Sequence, residues 1–148
     1  MNFARDIVDA AEPHGLAMVE LARDGSRRTW TFGEAADRAA RLAGTFAARG
    51  VRRGDVVLTL IGNRPEWVLS MVACLRIGAV VLPCTEQLRP HDLRLRLDVT
   101  RPVLIVCDER NRATLEAAGP GCDVLYLPDD AVWAADPAPA VDLAPDDP

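Results

Sequence analysis

Residues 50–67, Gly50-Val51-Arg52-Arg53-Gly54-Asp55-Val56-Val57-Leu58-Thr59-Leu60-Ile61-Gly62-Asn63-Arg64-Pro65-Glu66-Trp67, and residues 74–83, Cys74-Leu75-Arg76-Ile77-Gly78-Ala79-Val80-Val81-Leu82-Pro83, decide how this chain folds. Val56–Ile61 is a continuous, almost wholly apolar run of strand length, with only Thr59 polar, which predicts a strand covered on both faces, as in a parallel sheet. Asn63-Arg64-Pro65-Glu66 then predicts a helix start, with Asn63 as N-cap, Pro65 in the first turn, where its missing N–H is not needed, and Glu66 reaching back. Trp67–Ile77 is apolar nearly all round apart from Ser70 and Arg76, so this helix is expected to be deeply buried. Gly78 ends it, and Ala79–Leu82 begins a second covered strand. Strand, helix, strand is a βαβ unit, which closes right-handed in almost every case.

Upstream, residues 2–11 can form a short helix ended by Pro13-His14-Gly15. A hairpin follows, Ala17–Ala22 and Arg27–Thr31 around Asp24-Gly25, because Asp-Gly accepts the positive φ of a tight turn. Thr31-Phe32-Gly33-Glu34 has the pattern of a capping box, and its helix runs to about Arg49 with Ala35, Ala39, Leu42, Ala43 and Phe46 on one face and Gly50 as its stop. Downstream, residues 90–99 alternate with period two through Leu93, Leu95 and Leu97, yet Pro90 and Asp92 mark a helix start, and helix is the reading adopted. Residues 102–107 make a third covered strand, Asp108 caps a short helix over Glu109–Ala118, and Val124–Leu127 is a fourth strand. The 21 residues after Leu127 contain five Pro and six Asp, a composition that predicts a linker or tail over 128–148, leaving 1–127 as the folded unit. The expected fold is α/β: a mainly parallel sheet with helices on both faces, preceded by a β-hairpin.

Composition narrows the function classes. A chain of 148 residues suffices for one domain burying roughly 70% of its unfolded surface. All 17 basic residues are Arg, so chemistry that needs an ε-ammonium cannot be run by these residues. Arg is scattered among Asp and Glu over residues 1–112, and 113–148 carry eight acids and no base, so no basic stripe exists for nucleic acid. Cys74, Cys84, Cys107 and Cys122 lack zinc-site spacing and read as reduced core thiols. Met1–Asp9 includes two acids and no signal-like apolar stretch, and no run approaches a membrane span, so a cytoplasmic protein without membrane contact is expected. His14 and His91 sit in loop-like contexts, Ser70 has no G-x-S-x-G elbow, and no G-x-G-x-x-G occurs, which sets aside hydrolase triads and the Rossmann dinucleotide site.

Two motifs carry more than α/β patterning. Trp30-Thr31-Phe32-Gly33-Glu34-Ala35 resembles the first core motif of adenylation domains, and Leu75-Arg76-Ile77-Gly78-Ala79-Val80-Val81-Leu82-Pro83 resembles the second. With the Gly50–Trp67 block between them, in order and at the usual spacing, the resemblance covers about 29–127 and is to the adenylate-forming (AMP-binding) enzyme superfamily, closest in look to short- and medium-chain acyl-CoA synthetases. Each motif residue also has a structural reason: Thr31 and Glu34 start a helix, Gly54-Asp55 turns the chain into a strand, Gly78 permits close approach and Pro83 ends a strand.

The resemblance implies a parent enzyme that uses ATP and Mg²⁺ to turn a small carboxylic acid into an acyl-adenylate, then forms a CoA thioester. It also implies that these residues lack the phosphate loop, since there is no Lys and only Ser26 and Ser70, far apart. Ala144-Pro145-Asp146-Asp147-Pro148 looks like the stretch just before that loop, so an N-terminal portion without catalytic residues, cofactor or activity of its own is expected. Pro83-Cys84-Thr85-Glu86-Gln87-Leu88 is similar to the segment near the pantetheine route of medium-chain synthetases, which makes Thr85 a candidate. Asp108-Glu109 with Arg112 partly matches a D-E-x-x-R stretch in which the arginine meets a CoA phosphate, which makes Arg112 the second. A non-catalytic interaction or scaffold domain derived from such an enzyme, and part of a carrier-protein-loading adenylation domain, remain open as alternatives. An apolar face left uncovered by the absent part is expected to promote self-association.

Overall fold

The computed structural model describes residues 1–147. After a six-residue π-helical segment, Ala4–Asp9, come the hairpin strands β1 (Leu16–Leu21) and β2 (Arg27–Thr31), then helix α1 (Phe32–Ala48). The chain continues as β3 (Val56–Leu60), α2 (Pro65–Ile77), β4 (Val80–Cys84), α3 (Pro90–Thr100), β5 (Leu104–Asp108), α4 (Arg112–Ala118) and β6 (Asp123–Leu127). The last four strands form one wholly parallel sheet of order β4-β3-β5-β6, with Val57 facing Val81 on one side and Leu104 on the other.

Alternation along β3 assigns each face. Val57 packs with Leu42, Phe46, Leu69 and Ala73 under α1 and α2, while Leu58 and Leu60 pack with Leu93, Leu97 and Leu115 under α3 and α4. Helices therefore cover both faces, as the mostly apolar sequences of β3 and β5 require. The capping box at α1 is complete: Glu34 N donates to Thr31 Oγ1 at 3.2 Å and Thr31 N donates to Glu34 Oε2 at 2.8 Å. Over 90–100 the helical period wins, since Leu93 and Leu97 turn inward at i, i+4 while Leu95 and Val99 stay exposed.

Several local expectations are corrected. β4 is an edge strand, not a covered one: Val80, Val81 and Leu82 are half-buried and Pro83 is exposed. Pro83 lies within β4 without ending it, which an edge tolerates because the missing N–H faces away from the ladder. The N-cap of α2 is Arg64, not Asn63, and it makes no side-chain cap bond; Glu66 Oε2 lies 3.4 Å from Arg64 Nε instead of reaching a backbone amide. α2 is otherwise deeply buried as expected, Val68 being its one exposed residue.

A further correction concerns residues after Leu127, whose composition argued against packing. Val132 is buried, and Trp133 and Ala138 lie against the core under α1. The segment is held by backbone groups and by donors from elsewhere: Ala138 N donates to Ala40 O, Val141 N to Arg76 O, Arg41 Nη1 to Ala135 O and Arg76 Nε to Ala138 O, at 2.8–3.1 Å. The fully buried Asn2 ties both ends of the chain to α2, its Nδ2 donating to Leu75 O, Arg76 O and Val141 O. Gly44 on α1 is the seat for this strap, because a Cβ there would overlap Asp136 O.

Candidate functional site

In open parallel sheets, ligands bind where the strands end at their carboxyl side. At that edge, a cleft of about 380 Å³ opens between the ends of β3 and β4. Ile61, Trp67, Pro83 and Cys84 supply its apolar wall, and Thr85, Glu86 and Gln87 its polar one. A wider groove of about 750 Å³ adjoins it between β1 and the start of α2, and Asn63 and Glu86 border both.

Charged groups converge where β3, β4 and β5 end. Glu86 accepts from Arg110 Nε at 2.7 Å, from Arg110 Nη2 at 2.5 Å and from Asn111 Nδ2 at 2.7 Å. Asp108, almost fully buried, accepts from Arg64 Nη1 at 2.6 Å and from Arg110 N at 3.1 Å; it thus caps a short turn, Glu109–Asn111, and the expected single helix over Glu109–Ala118 is split, with α4 starting only at Arg112. Burial works against the Glu86 carboxylate, yet its bonds to Arg110 and Asn111 prevail and hold it below the usual carboxylate range. Burial likewise opposes the Arg64 guanidinium, and the bond to Asp108 with the charge of Glu66 outweighs it and raises that group.

Thr85 stands in the cleft wall, its Oγ1 accepting a long 3.4 Å bond from Gln87 N. Arg112 is not in that wall. It opens α4, stacks its guanidinium 3.5 Å from the centre of the Tyr126 ring and donates from Nε and Nη2 to both oxygens of Glu109, at 2.6 and 2.8 Å. The Glu109 carboxyl is lowered by that pair. The fold thus puts Thr85 in the cleft wall and Arg112 outside it.

Cys74 and Cys107 are fully buried and desolvation pushes each thiol up to about 12, so neither is a nucleophile at neutral pH. His14 and His91 are exposed. No helix among the described residues is long and apolar enough to cross a membrane.

Glu86, Arg110, Asn111 and Arg64 were not singled out from sequence. A signal existed: each lies within a few residues of a strand end, and parallel strands bring such positions to one edge. Which of those side chains pair is a matter of loop path, which no local pattern encodes.

Comparison with known proteins agrees with this architecture. The model of the family described as AMP-binding enzyme matches residues 8–148. Acyl-coenzyme A synthetase ACSM3, mitochondrial, of Pongo abelii is 31% identical over 134 residues, covering 84% of this chain and 23% of that protein. The crystal structure of apo MatB from Rhodopseudomonas palustris superimposes with a TM-score of 0.83 at 29% identity, covering 99% of this chain and 30% of its own. Brucella canis acyl-CoA synthetase, at 24% identity, shares the fold with a TM-score of 0.84 over 95% of this chain and 29% of its own. The chain therefore spans about a quarter of the length of the curated relatives it matches. With the family model covering nearly all of its residues, this chain belongs to the AMP-binding enzyme family and corresponds to the N-terminal part of an adenylate-forming enzyme resembling acyl-CoA synthetases.

Proposed function

We propose that this chain is part of an acid:CoA ligase that uses ATP and Mg²⁺ to activate a small carboxylic acid as an acyl-adenylate and passes the acyl group to CoA. The observation that carries the reading is the cleft at the ends of β3 and β4, whose polar wall is Thr85-Glu86-Gln87. That wall comes from the segment whose sequence resembles the pantetheine route of medium-chain synthetases. A narrow cleft with apolar sides and a few hydrogen-bonding groups suits a thin, uncharged amide chain. In this reading the Thr85 hydroxyl bonds an amide of that chain. Arg112, already oriented by Tyr126 and Glu109, meets a phosphate that takes over the paired bonds of Glu109.

ATP does not fit these residues in the same way. Without Lys, and with only two distant Ser, they offer no cradle for a triphosphate, so no phosphoryl step is derived from them. The 148 residues by themselves are therefore read as inactive. Names of the relatives favour CoA over a carrier protein as the acceptor.

Titration of the ¹⁵N-labelled chain with CoA and with pantetheine tests the assignment. Both ligands are expected to shift residues 85–87 and the Trp67 indole, and Arg112→Ala is expected to weaken CoA while leaving pantetheine unchanged. CoA that shifts nothing in the cleft refutes the site. Hydroxamate formed from acid, ATP and hydroxylamine by the purified 148-mer refutes the inactivity.

A further inference from the structure

We propose that Glu86 is a positioning residue that locks the loops after β3, β4 and β5 into one unit and so sets the width of the cleft, an inference that rests on reading the cleft as a ligand site. Three observations lead to it. The Glu86 carboxylate leaves the end of β4 and takes three donors from the β5 loop: both nitrogens of the Arg110 fork and Asn111 Nδ2. Asn111 Nδ2 in turn donates to Leu60 O at 3.2 Å, which brings in the end of β3. The loop after β3 then passes against the Glu86–Arg110 pair at Gly62, where any Cβ would overlap Glu86 Oε2 and Arg110 Nη2. Glycine leaves room there for the pair, since a Cβ would push the ends of both side chains aside.

The lock reaches further through Asp108, which holds the Arg110 amide and the Arg64 side chain at the start of α2. Glu86, Asp108 and Glu66 face Arg64 and Arg110, so both arginines are already paired and this part of the wall acts through geometry more than through attraction of a charged ligand. Thr85 and Gln87 flank Glu86 in sequence and face the cleft, so any shift of Glu86 moves both. Because Glu86 and Asn63 border both the cleft and the outer groove, they form the partition between them.

Amide hydrogen exchange on Glu86→Ala, Arg110→Ala, the double variant and Gly62→Ala decides the matter. Two charge-assisted bonds in a half-exposed setting correspond to about a tenfold loss of protection. That loss is expected at residues 62–64 and 85–88 in every variant, with the double no worse than either single and the centres of β3 and β5 unchanged. Leu93→Ala serves as the control for a structural effect, since it loosens the whole domain. Pantetheine is the ligand probe, and its affinity for Glu86→Ala is expected to fall by a similar factor. Additive effects of Glu86→Ala and Arg110→Ala, protection lost evenly over the domain, or equal pantetheine affinity of the wild type and Glu86→Ala would each overturn the lock. Failure of pantetheine to bind the wild type retires the ligand reading alone, and the exchange pattern still decides whether the loops are locked.

Discussion

Asp108→Ala probes the link between the sheet and the site. Asp108 is 3% exposed, and its two oxygens do different work. Oδ1 accepts from Arg110 N and caps the turn that leads into α4, and losing a cap of this type costs about 1 kcal/mol. Oδ2 accepts from Arg64 Nη1 at 2.6 Å, and removing it leaves a guanidinium without its nearest partner. The Arg64 side chain is 37% exposed, so water recovers part of the loss, and about 1–2 kcal/mol is reasonable where a fully buried pair would lose 3–5. The sum, about 2–3 kcal/mol, corresponds to a fall in Tm of about 5–10 °C for a domain of this size. Urea denaturation followed by circular dichroism measures it, with an unchanged m-value as the sign that only stability moved. Asp108→Asn separates the two effects, because its amide oxygen still caps the turn while the charge is gone. An Asp108→Ala variant within about 0.5 kcal/mol of wild type, the range of ordinary surface substitutions, would refute the reasoning.

Gly44→Ala is expected to lift the strap at Asp136 off α1, so a nonspecific protease such as proteinase K should cleave within 128–147 faster than in wild type; unchanged cleavage would show that the strap gives way without detaching. Glu34, Glu86, Glu109 and Asp147 all have lowered folded values, so their stabilisation is complete above the unfolded carboxylate range and is lost as pH falls through the folded values. Unfolding free energy should therefore drop between about pH 5 and 3, and a flat profile over that window in urea titrations would contradict the pairs. Alkylation should modify Cys122 first, because Cys74, Cys84 and Cys107 are buried; mass spectrometry showing Cys107 modified before Cys122 under native conditions would contradict the packing.

Much of this protein is local and so readable from the chain. Thr31 and Glu34 satisfy each other's amides three residues apart, Gly25, Gly50 and Gly78 sit at positive φ where turns or helix ends need it, and Val57, Leu58 and Leu60 are apolar on either face because both faces are covered. The family was equally legible, since ordered motifs within 29–127 survive whatever the side chains between them do. Tertiary structure alone decided three things. β4 became an edge because strand order is set by crossover paths, and Val80–Leu82 reads the same whether covered or not. Residues 128–147 packed despite their Pro and Asp content, because backbone amides and arginines from α1 and α2 hold them, and hydrogen bonds of that kind leave no apolar period in the sequence. The Glu86 cluster joins residues up to 51 positions apart, a pairing fixed only when a parallel sheet brings three strand ends to one edge.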